Sequence, residues 1–512
     1  MLFNSIEFLL VFLPLTLVGF AVLTRREAGG RAAVSWLVAA SLVFYAWWNW
    51  RFVGLLVGSA GFNFIWALRI ERNRSNRWWL VSGVVANLMV LGWFKYAGFM
   101  AENAKFLLGT AIELPEIILP LAVSFFTFHQ IAYLVDVHHG HKPERSFLYY
   151  GLFIFFFPHL IAGPIIRHWE LLPQFRRPEF RASLENVGVG VVLLTMGLVK
   201  KVFLAAPMQA YADRVFQIAS FGEPVTFVPA WAAALAFSMQ IYFDFSGYSD
   251  MALGLARMCG TRLPVNFNSP YKATSIIEFW RRWHITLSRF LRDYLYIPLG
   301  GNRRGPVRRL ANLAVVMLLG GLWHGASWTF VVWGGAHGLM LAVNHAWRSL
   351  LGGRPAGRAG RWAGWAITMI AVTLAWVVFR APSWLSAETM LSAMTGFNGV
   401  FLPESYGSRL GGLAPLLAQA GLIFGASPDT LVYPTRMELA ALAACSLWVM
   451  VLPNSQEILA AFDPVFEKVA RSAGRLAWRP SMAMGIVAGL IMTACLANIL
   501  QNPSNAFIYF QF

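Results

Sequence analysis

Charged residues are scarce in this chain of 512 residues, where only 13% are Asp, Glu, Lys or Arg. Soluble globular chains carry about 25%, so this chain cannot cover its surface for contact with water. Hydrophobic residues reach 58% with glycine left out of the count. The composition excludes a disordered chain, a coiled coil and a soluble domain. It predicts an all-α, polytopic integral membrane protein.

Acidic residues are scarcer than basic ones, with 24 Asp and Glu against 41 Lys and Arg and a net charge of +17. A strong positive balance often indicates a nucleic-acid partner, but the sequence has neither a basic tail nor a compact basic domain. We therefore predict no nucleic-acid partner. The excess charge is assigned to short basic loops between helices that contact membrane lipids.

Cysteine is nearly absent, and several familiar catalytic motifs are missing. Cys259, Cys445 and Cys495 lie far apart, without the paired spacing of a disulfide framework or a metal site. The sequence also has no phosphate-binding P-loop, no G-x-S-x-G, no H-E-x-x-H and no dinucleotide fingerprint. These absences predict small apolar roles for the cysteines, no metal site and no tightly bound cofactor.

Uncharged runs of about 17 or more residues recur along the chain, long enough for a helix to cross a bilayer. The ordinary runs lie at 8–24, 32–50, 52–68, 78–94, 117–135, 146–166, 224–243, 362–379, 410–428 and 439–456. Two runs are longer, 310–347 and 481–512, and a weaker one at 186–199 ends at Lys200. We expect about eleven to thirteen membrane segments. Some must be re-entrant or interfacial, because several runs are short or contain Pro and Gly.

Basic residues mark the cytoplasmic end of a membrane helix. Arg25 and Arg26 follow the first run, and four arginines follow the third, within 69–77. The loop after the fourth run is instead acidic, with Glu102, Glu113 and Glu116. The pattern predicts that the first helix runs from outside to inside, so the N-terminus is predicted to lie outside the cytoplasm.

The chain shows no internal repeat and no soluble domain longer than a loop. The stretch 383–438 mixes Gly, Pro and weak apolar runs. It therefore marks a predicted boundary between a transmembrane core at 1–382 and a C-terminal helical membrane region at 383–512.

Polar residues at membrane depth are costly and are functional candidates by default. His324 lies inside the long run 310–347, and a helix from Leu310 places it about 21 Å further on, within a core of about 30 Å. The adjacent glycines, from Gly320 to Gly325, permit close helix contact or a break. A neutral imidazole there is suited to act as a general base. A histidine hydrogen-bonded to a neighbouring helix is the structural alternative, and spacing alone leaves both open.

The segment 278–294 is rich in arginine. Trp280, Trp283, Leu287 and Leu291 form one apolar stripe at helical spacing, with arginines around it. One interpretation is an amphipathic helix at the cytoplasmic interface, with arginines on lipid phosphates. The other is a re-entrant helix lining a cavity, with arginines binding a phosphorylated donor and His284 pointing inward. Composition favours the first.

Two further clusters are candidates for tunnel-lining or structural polar residues. Asp244, Ser246 and Asp250 follow the span 224–243 and suit either an acid/base or cation site, or the satisfaction of arginines and backbone ends at a broken helix. The second interpretation is favoured. His159 lies where two prolines and a glycine break the run 146–166, so the backbone there must line a cavity or be covered by protein. The other apolar histidines, His129, His337 and His345, are interpreted as structural.

At these motifs the chain resembles the membrane-bound O-acyltransferase family, in the bacterial branch that contains the membrane subunit of alginate O-acetylation. The similarity extends from Met1 to about residue 380 and more loosely to the end. Five motifs in the family's order support it, namely Ser41–Trp48, Phe157–Pro164, Tyr242–Asp250, Phe279–His284, and Leu299–Arg303 followed by Trp323–Gly325.

The resemblance implies roles for particular residues. The family's near-invariant histidine, in its Trp-His-Gly motif, falls on His324, and its second polar site residue falls on His284. Both would face a common tunnel through a thin central membrane region. His324 would take the proton from an attacking hydroxyl, and His284 would orient the donor or stabilise the oxyanion. The candidates for holding the phosphates of a donor are Arg281, Arg282, Asn302 and Arg303.

The resemblance also implies substrates and partners. The donor would be acetyl-CoA at the cytoplasmic face of a bacterial inner membrane, with the N-terminus in the periplasm. The acceptor would be an alginate-like exopolysaccharide, reached directly or through a serine of a periplasmic SGNH/esterase-like acetyltransferase partner. Peptidoglycan, cellulose or D-alanyl transfer are alternatives within the family. A transporter that uses the buried His and Asp residues as a proton relay is the alternative outside it.

Overall fold

The computed structural model describes residues 1–25, 30–109, 112–350, 352, 357–425, 432–470 and 473–502. Most of these residues are helical, which confirms the all-α class. Within the described ranges the strands are β1 (Val400–Leu402) and β2 (Leu422–Phe424), which pair in parallel with Val400 opposite Leu422. The predictions made for Arg26 and for the tail 503–512 lie outside the described residues.

The helices up to the long central one are, in chain order, α1 (Leu13–Thr24), α2 (Arg31–Asn49), α3 (Val53–Arg72), α4 (Arg77–Leu91), α5 (Ala97–Leu108), α6 (Val123–His138), α7 (Phe147–Phe155), α8 (Phe157–Leu160), α9 (His168–Leu171), α10 (Leu184–Val199), α11 (Ala206–Ser220) and α12 (Phe227–Met258). π-helical turns adjoin several of them, at Glu7–Phe12, Gly92–Tyr96 and Lys200–Ala205. These turns make 7–24, 77–108 and 184–220 continuous helical stretches.

The remaining helices are α13 (Ile276–Arg282), α14 (Ile285–Leu291), α15 (Gly305–His324), α16 (Trp328–Leu350), α17 (Arg358–Arg380), α18 (Trp384–Thr395), α19 (Glu404–Leu410), α20 (Leu413–Gln419), α21 (Arg436–Val451), α22 (Ser455–Ile458) and α23 (Met482–Gln501). A π-helical turn at Arg292–Tyr296 follows α14.

Seven helical stretches in the described part of the chain are long and apolar enough to cross a membrane, which confirms a multi-pass membrane protein. They are Glu7–Thr24, Arg31–Arg72, Arg77–Leu108, Leu184–Ser220, Gly305–His324, Arg358–Arg380 and Met482–Gln501. The second of these contains two helices, α2 and α3, because extended backbone at Asn49 breaks it. The total of eleven to thirteen segments stays a prediction.

The uncharged run 410–428 does not form the membrane helix that its length predicts. Its described part contains the short helix α20 and strand β2, and Gly411 and Gly421 have positive φ angles of 51° and 93°. Glycine readily adopts this left-handed conformation and ends regular helix there. The absence of charge therefore does not produce a continuous helix in this segment.

Helix α12 is the buried centre of the fold and packs against α10, α11, α17 and α18. Its closest approach is to α10, where a Cβ atom at Gly197 would lie 2.5 Å from the carbonyl oxygen of Gly247. Small residues at such a crossing let two membrane helices pack backbone against backbone. The predicted helix break near Asp244 is wrong, because α12 continues unbroken to Met258.

The C-terminal helices pack against the same core. Cys495 and Ile499 of α23 are buried in the hydrophobic cluster that contains α12. Gln456 of α22 donates a hydrogen bond of 3.1 Å to Asp250. The boundary between residues 382 and 383 stays a prediction, and side chains from both sides of it share one core.

Candidate active site

The helical hairpin α15–α16 positions His324 at the end of α15. A Cβ atom at Gly321 would lie 2.2 Å from the carbonyl oxygen of Phe330, and one at Gly334 would lie 2.3 Å from that of Met317. The two helices therefore pack with their backbones in contact. Helix α15 ends at His324 because Gly325 is extended, with φ −159° and ψ 149°. The glycines were predicted to permit close contact or a break, and the structure has the contact at Gly321 and the break at Gly325.

Two side chains of the π-helical turn Gly92–Tyr96, between α4 and α5, hold the C-terminal end of α15. Lys95 Nζ donates hydrogen bonds to the carbonyl oxygens of Trp323 at 2.6 Å and His324 at 3.0 Å. The Tyr96 hydroxyl donates to the Leu322 carbonyl at 2.9 Å. The last carbonyls of a helix have no partner within it, and a cation there also interacts favourably with the helix dipole. These bonds fix the backbone from which the His324 ring projects.

Sequence analysis did not identify Lys95 as a functional residue. The available signal was its position as the charge that ends the uncharged run 78–94, with aromatic residues on both sides. A lone lysine inside a membrane helix is expected to have a specific partner. Here its nearest partners are two backbone carbonyls, which no side-chain pattern reveals, and the Ser124 hydroxyl lies 3.5 Å away.

Aromatic rings surround the His324 imidazole, whose residue is only 5% exposed. Trp333 contacts it edge-on, with ring centroids 5.1 Å apart and an interplanar angle of 89°. The ring centroid of His324 is also 5.4 Å from that of Phe379 and 4.9 Å from that of Trp323. Such walls exclude water and lower the local dielectric constant.

A cavity of about 630 Å³ reaches His324. Its lining includes Lys95, Ser124, Trp47 and, from the start of the chain, Met1, Leu2, Ser5 and Glu7. The N-terminal residues place the cavity at the face of the fold that the basic loops predict to be external. His324 therefore faces a space large enough for a substrate group at that face.

His284 lies between two short helices, α13 and α14, and is fully buried. Its ring centroid is 4.8 Å from that of Phe245 and 6.3 Å from that of Trp323. Trp323 is thus a neighbour of both histidines that the resemblance implies for catalysis. His324 lines the cavity, whereas His284 is not among the residues lining it.

The segment 278–294 is not the single helix that its apolar stripe predicts. His284 has φ 41° and ψ 54°, a left-handed conformation that separates α13 from α14. The backbone N–H of Ile285 bonds to the Asn266 carbonyl at 2.9 Å, outside any helix. Asn266 Oδ1 also lies 3.1 Å from His284 Nδ1. The break turns the imidazole into the protein interior.

None of the four candidate phosphate-binding residues lines the cavity at His324. Arg282 forms an ion pair with Glu278 at 2.8 Å, and Arg281 is exposed. Burial acts to raise the pKa of Glu278, but hydrogen bonds from Thr274 and the Arg282 guanidinium outweigh it and hold the pKa below its usual value.

Asn302 and Arg303 are exposed just before α15 begins. At 1.5 Å per residue, they lie about 30 Å from His324 along the helix axis. The structure therefore separates these two residues from the histidine site by the length of a membrane helix.

The two buried carboxylates of α12 are paired with lysines of the π-helical turn 200–205. Asp244 lies 2.7 Å from Lys201 Nζ, and Asp250 lies 2.6 Å from Lys200 Nζ. The expectation that they satisfy arginines is wrong, because lysines occupy that position. Ser246 is buried on the same helix. Within the described residues no group of three His, Cys, Asp or Glu side chains is arranged to hold a metal ion.

His159 is fully buried on the short helix α8, with its ring centroid 5.1 Å from that of His129. The prolines and glycine break the run 146–166 as expected. His129 bonds to two backbone groups, with Nδ1 2.8 Å from the Phe125 carbonyl and Nε2 3.1 Å from the Ile166 N–H. These bonds agree with a structural interpretation of His129.

The family of the chain is established by its similarity to known proteins. The family model described as membrane-bound O-acyltransferase matches residues 141–386. A peptidoglycan O-acetyltransferase of Helicobacter pylori is 43% identical over 435 residues, covering 78% of this chain and 81% of that protein. The chain belongs to the membrane-bound O-acyltransferase family. The recognition made from the motifs is confirmed.

Other relatives of this membrane-bound O-acyltransferase carry related names. A probable alginate O-acetylase of Pseudomonas aeruginosa is 38% identical, with both chains covered in full. A teichoic acid D-alanyltransferase of Streptococcus thermophilus is 28% identical over 44% of this chain and 57% of that protein. The chain is an O-acyltransferase, and the part matched by the family model contains both His284 and His324.

Proposed function

We propose that this O-acyltransferase moves an acetyl group from acetyl-CoA in the bacterial cytoplasm to a hydroxyl acceptor in the periplasm. The observation that carries the proposal is the position of His324. It ends a membrane-spanning helix and faces a cavity of about 630 Å³ at the predicted external face. A proton acceptor placed there can serve an acceptor that approaches from outside.

The chemistry needs one proton acceptor and no metal. Neutral His324 takes the proton of the acceptor hydroxyl. At the same time the hydroxyl oxygen attacks the carbonyl carbon of the thioester. The carbon–sulfur bond then breaks, and the imidazolium returns the proton to the departing thiolate. The products are an acetyl ester and a free thiol, and the imidazole is neutral again.

The surroundings of His324 suit this reaction. The rings of Trp333, Phe379 and Trp323 cover the imidazole away from the cavity and so limit the access of water, which disfavours hydrolysis of the thioester. Lys95 and Tyr96 fix the end of α15, so the imidazole is held in one place relative to the cavity.

The acceptor we favour is an alginate-like exopolysaccharide, acetylated directly or through a serine of a periplasmic SGNH/esterase-like partner. The support is the full-length similarity to a protein named as a probable alginate O-acetylase. Peptidoglycan is the second candidate, because the Helicobacter pylori relative named for it is 43% identical. Cellulose-type and D-alanyl transfer follow. Family membership weighs against a transporter without chemistry of its own.

The test uses the purified full-length protein in lipid nanodiscs with radiolabelled acetyl-CoA. We expect wild type to release or transfer acetyl, and His324→Ala to lose about 10²- to 10⁴-fold of the rate, the usual contribution of a general base. His345→Ala is the matched control, because His345 lies near the end of α16 and outside the cavity lining. Equal rates in wild type and His324→Ala would refute the proposal.

The acceptor is tested in cells of the source species that lack the gene. We expect complementation with wild type, but not with His324→Ala, to restore O-acetyl groups on exopolysaccharide. Restoration on peptidoglycan alone would establish the second candidate instead. Cross-linking from the cavity rim would then show whether a periplasmic partner is bound.

A further inference from the structure

Three hydrogen-bond donors converge on the side-chain oxygen of Asn266. The Thr286 hydroxyl lies 2.8 Å from Asn266 Oδ1, the Thr286 backbone N–H lies 3.3 Å away, and His284 Nδ1 lies 3.1 Å away. Asn266 and Thr286 are both buried. This cluster of polar groups lies beside one of the two site histidines and has no role in the mechanism above.

The hydrogen bonds settle which way the Asn266 amide points. The Thr286 backbone N–H can only donate, so the atom facing it must be the oxygen. The Thr286 hydroxyl already accepts a hydrogen bond of 3.0 Å from the Ile165 N–H, which directs its own proton to Asn266. Rotating the amide by half a turn would place its NH₂ group against these donors.

The direction of the amide in turn settles the tautomer of His284. An oxygen acceptor at 3.1 Å requires a proton on Nδ1. In a neutral imidazole one nitrogen donates and the other accepts, so Nε2 carries the free lone pair. Nε2 is buried and makes no hydrogen bond to any described residue. A proton there would leave a buried donor without a partner among aromatic rings, at substantial cost.

We infer that Asn266 is a positioning residue that holds His284 in the Nδ1–H tautomer and leaves Nε2 as a hydrogen-bond acceptor. Of the two roles that the family resemblance implies, orientation of the donor and oxyanion stabilisation, this tautomer supports only the first. A neutral Nε2 has no hydrogen to offer an oxyanion. It accepts from an O–H or N–H group, such as a hydroxyl or the amide of an acyl carrier arm. This last step rests on the proposed function, whereas the tautomer does not.

The tautomer is tested by solid-state NMR on the full-length protein in lipid with ¹⁵N-labelled histidine. The difference spectrum between wild type and His284→Gln isolates the two nitrogens of His284. We expect a protonated Nδ1 and an unprotonated Nε2. A spectrum with the proton on Nε2 would overturn the inference without any reference to activity.

The positioning role is tested with Asn266→Ala and Asn266→Asp. The aspartate keeps an acceptor for all three donors, so we expect it to keep the Nδ1–H tautomer and to retain more activity than the alanine variant. Removing the hydrogen-bond partner that orients a metal-binding histidine costs about 10- to 100-fold in activity, and we take the same order of magnitude for this histidine. We expect Asn266→Ala to show such a loss in kcat, with a mixture of His284 tautomers. Asn63→Ala is the matched control, because Asn63 is also a buried asparagine but bonds to Asn87, between α3 and α4.

The outcomes separate this inference from the proposed function. Full activity in Asn266→Ala with an unchanged tautomer would overturn the positioning role. An expected tautomer in a protein that transfers no acyl group from any thioester would refute the proposed function and leave the Asn266 assignment standing. If Asn266→Ala fails to fold, the wild-type spectrum still tests the tautomer, and the activity of the aspartate variant still tests the positioning role.

Discussion

The Lys95 ammonium donates a hydrogen bond of 3.0 Å to the carbonyl oxygen of His324, so a charge on one membrane helix holds the end of another. The same ammonium bonds to the Trp323 carbonyl and borders the cavity. A lysine in an apolar helix is costly unless it has such partners. Lys95 thereby serves the geometry of the site, because it fixes the backbone of the histidine that lines the cavity.

Replacing Lys95 is expected to reduce catalysis more than folding. Lys95→Met removes both bonds to the end of α15, and a displacement of about 1 Å in a catalytic group can cost about 10²-fold. We expect a fall in kcat of that order in the acetyl-transfer assay, with Lys95→Arg keeping part of the activity. Tyr96→Phe is the control, since it removes one neutral hydrogen bond worth about 1 kcal/mol. Equal losses in both variants would contradict a special role for the lysine.

Adding a methyl group at Gly321 is expected to separate α15 from α16. Its Cβ atom would lie 2.2 Å from the Phe330 carbonyl oxygen, which cannot move without shifting the helix. Overpacking of this kind costs about 1–3 kcal/mol, so Gly321→Ala should unfold at a lower temperature in detergent. Gly335→Ala is the matched variant on α16, because its Cβ would meet only Leu318 at 3.4 Å. It should unfold like wild type.

The Asp250–Lys200 ion pair is expected to be structural. Breaking a buried pair leaves one charge unpaired and costs about 3–5 kcal/mol. Lys200→Met and Asp250→Asn should each lower stability strongly, and the double variant should lose less than the sum. Denaturant unfolding of the four proteins measures the coupling. The folded fraction of Asp250→Asn should keep its kcat, and a stable but inactive Asp250→Asn protein would restore the acid/base interpretation.

The orientation of the chain is testable by cysteine labelling, since the three native cysteines are buried. Ser75→Cys and Glu113→Cys place exposed thiols on loops of opposite predicted sides. A membrane-impermeant maleimide should label Glu113→Cys in intact cells with a permeabilised outer membrane. It should label Ser75→Cys only after the inner membrane is opened. The reverse pattern would invert the assigned topology.

Much of the fold follows from local sequence. Uncharged length and bordering arginines predict α15, α16 and α17, and the glycines around His324 indicate that close contact or a helix break is possible there. The prediction of a membrane helix at 410–428 is wrong, because an uncharged run can still contain residues that do not favour helix. Glycines at positive φ interrupt this run. Counting the glycines and prolines within each run would have argued against a membrane helix in this segment.

The site was less accessible to sequence reasoning, because its key relationships join distant residues. Lys200 and Asp250 are 50 positions apart, and Lys95 and His324 are 229 apart. The break at His284 was hidden because the apolar stripe from Trp280 to Leu291 continues helical spacing across it. Only tertiary packing on Asn266 shows why the backbone turns there.

The left-handed backbone at His284 gives the site a cost in stability. A residue other than glycine at φ 41° is strained by about 1 kcal/mol or more. Glycine would relieve this strain, so His284→Gly should be more stable than His284→Ala, and neither should work. Because the imidazole is fully buried, removing it also leaves a cavity, so both variants should be less stable than wild type. A selection for stability would therefore keep the imidazole for its packing, even though the backbone at this position favours glycine.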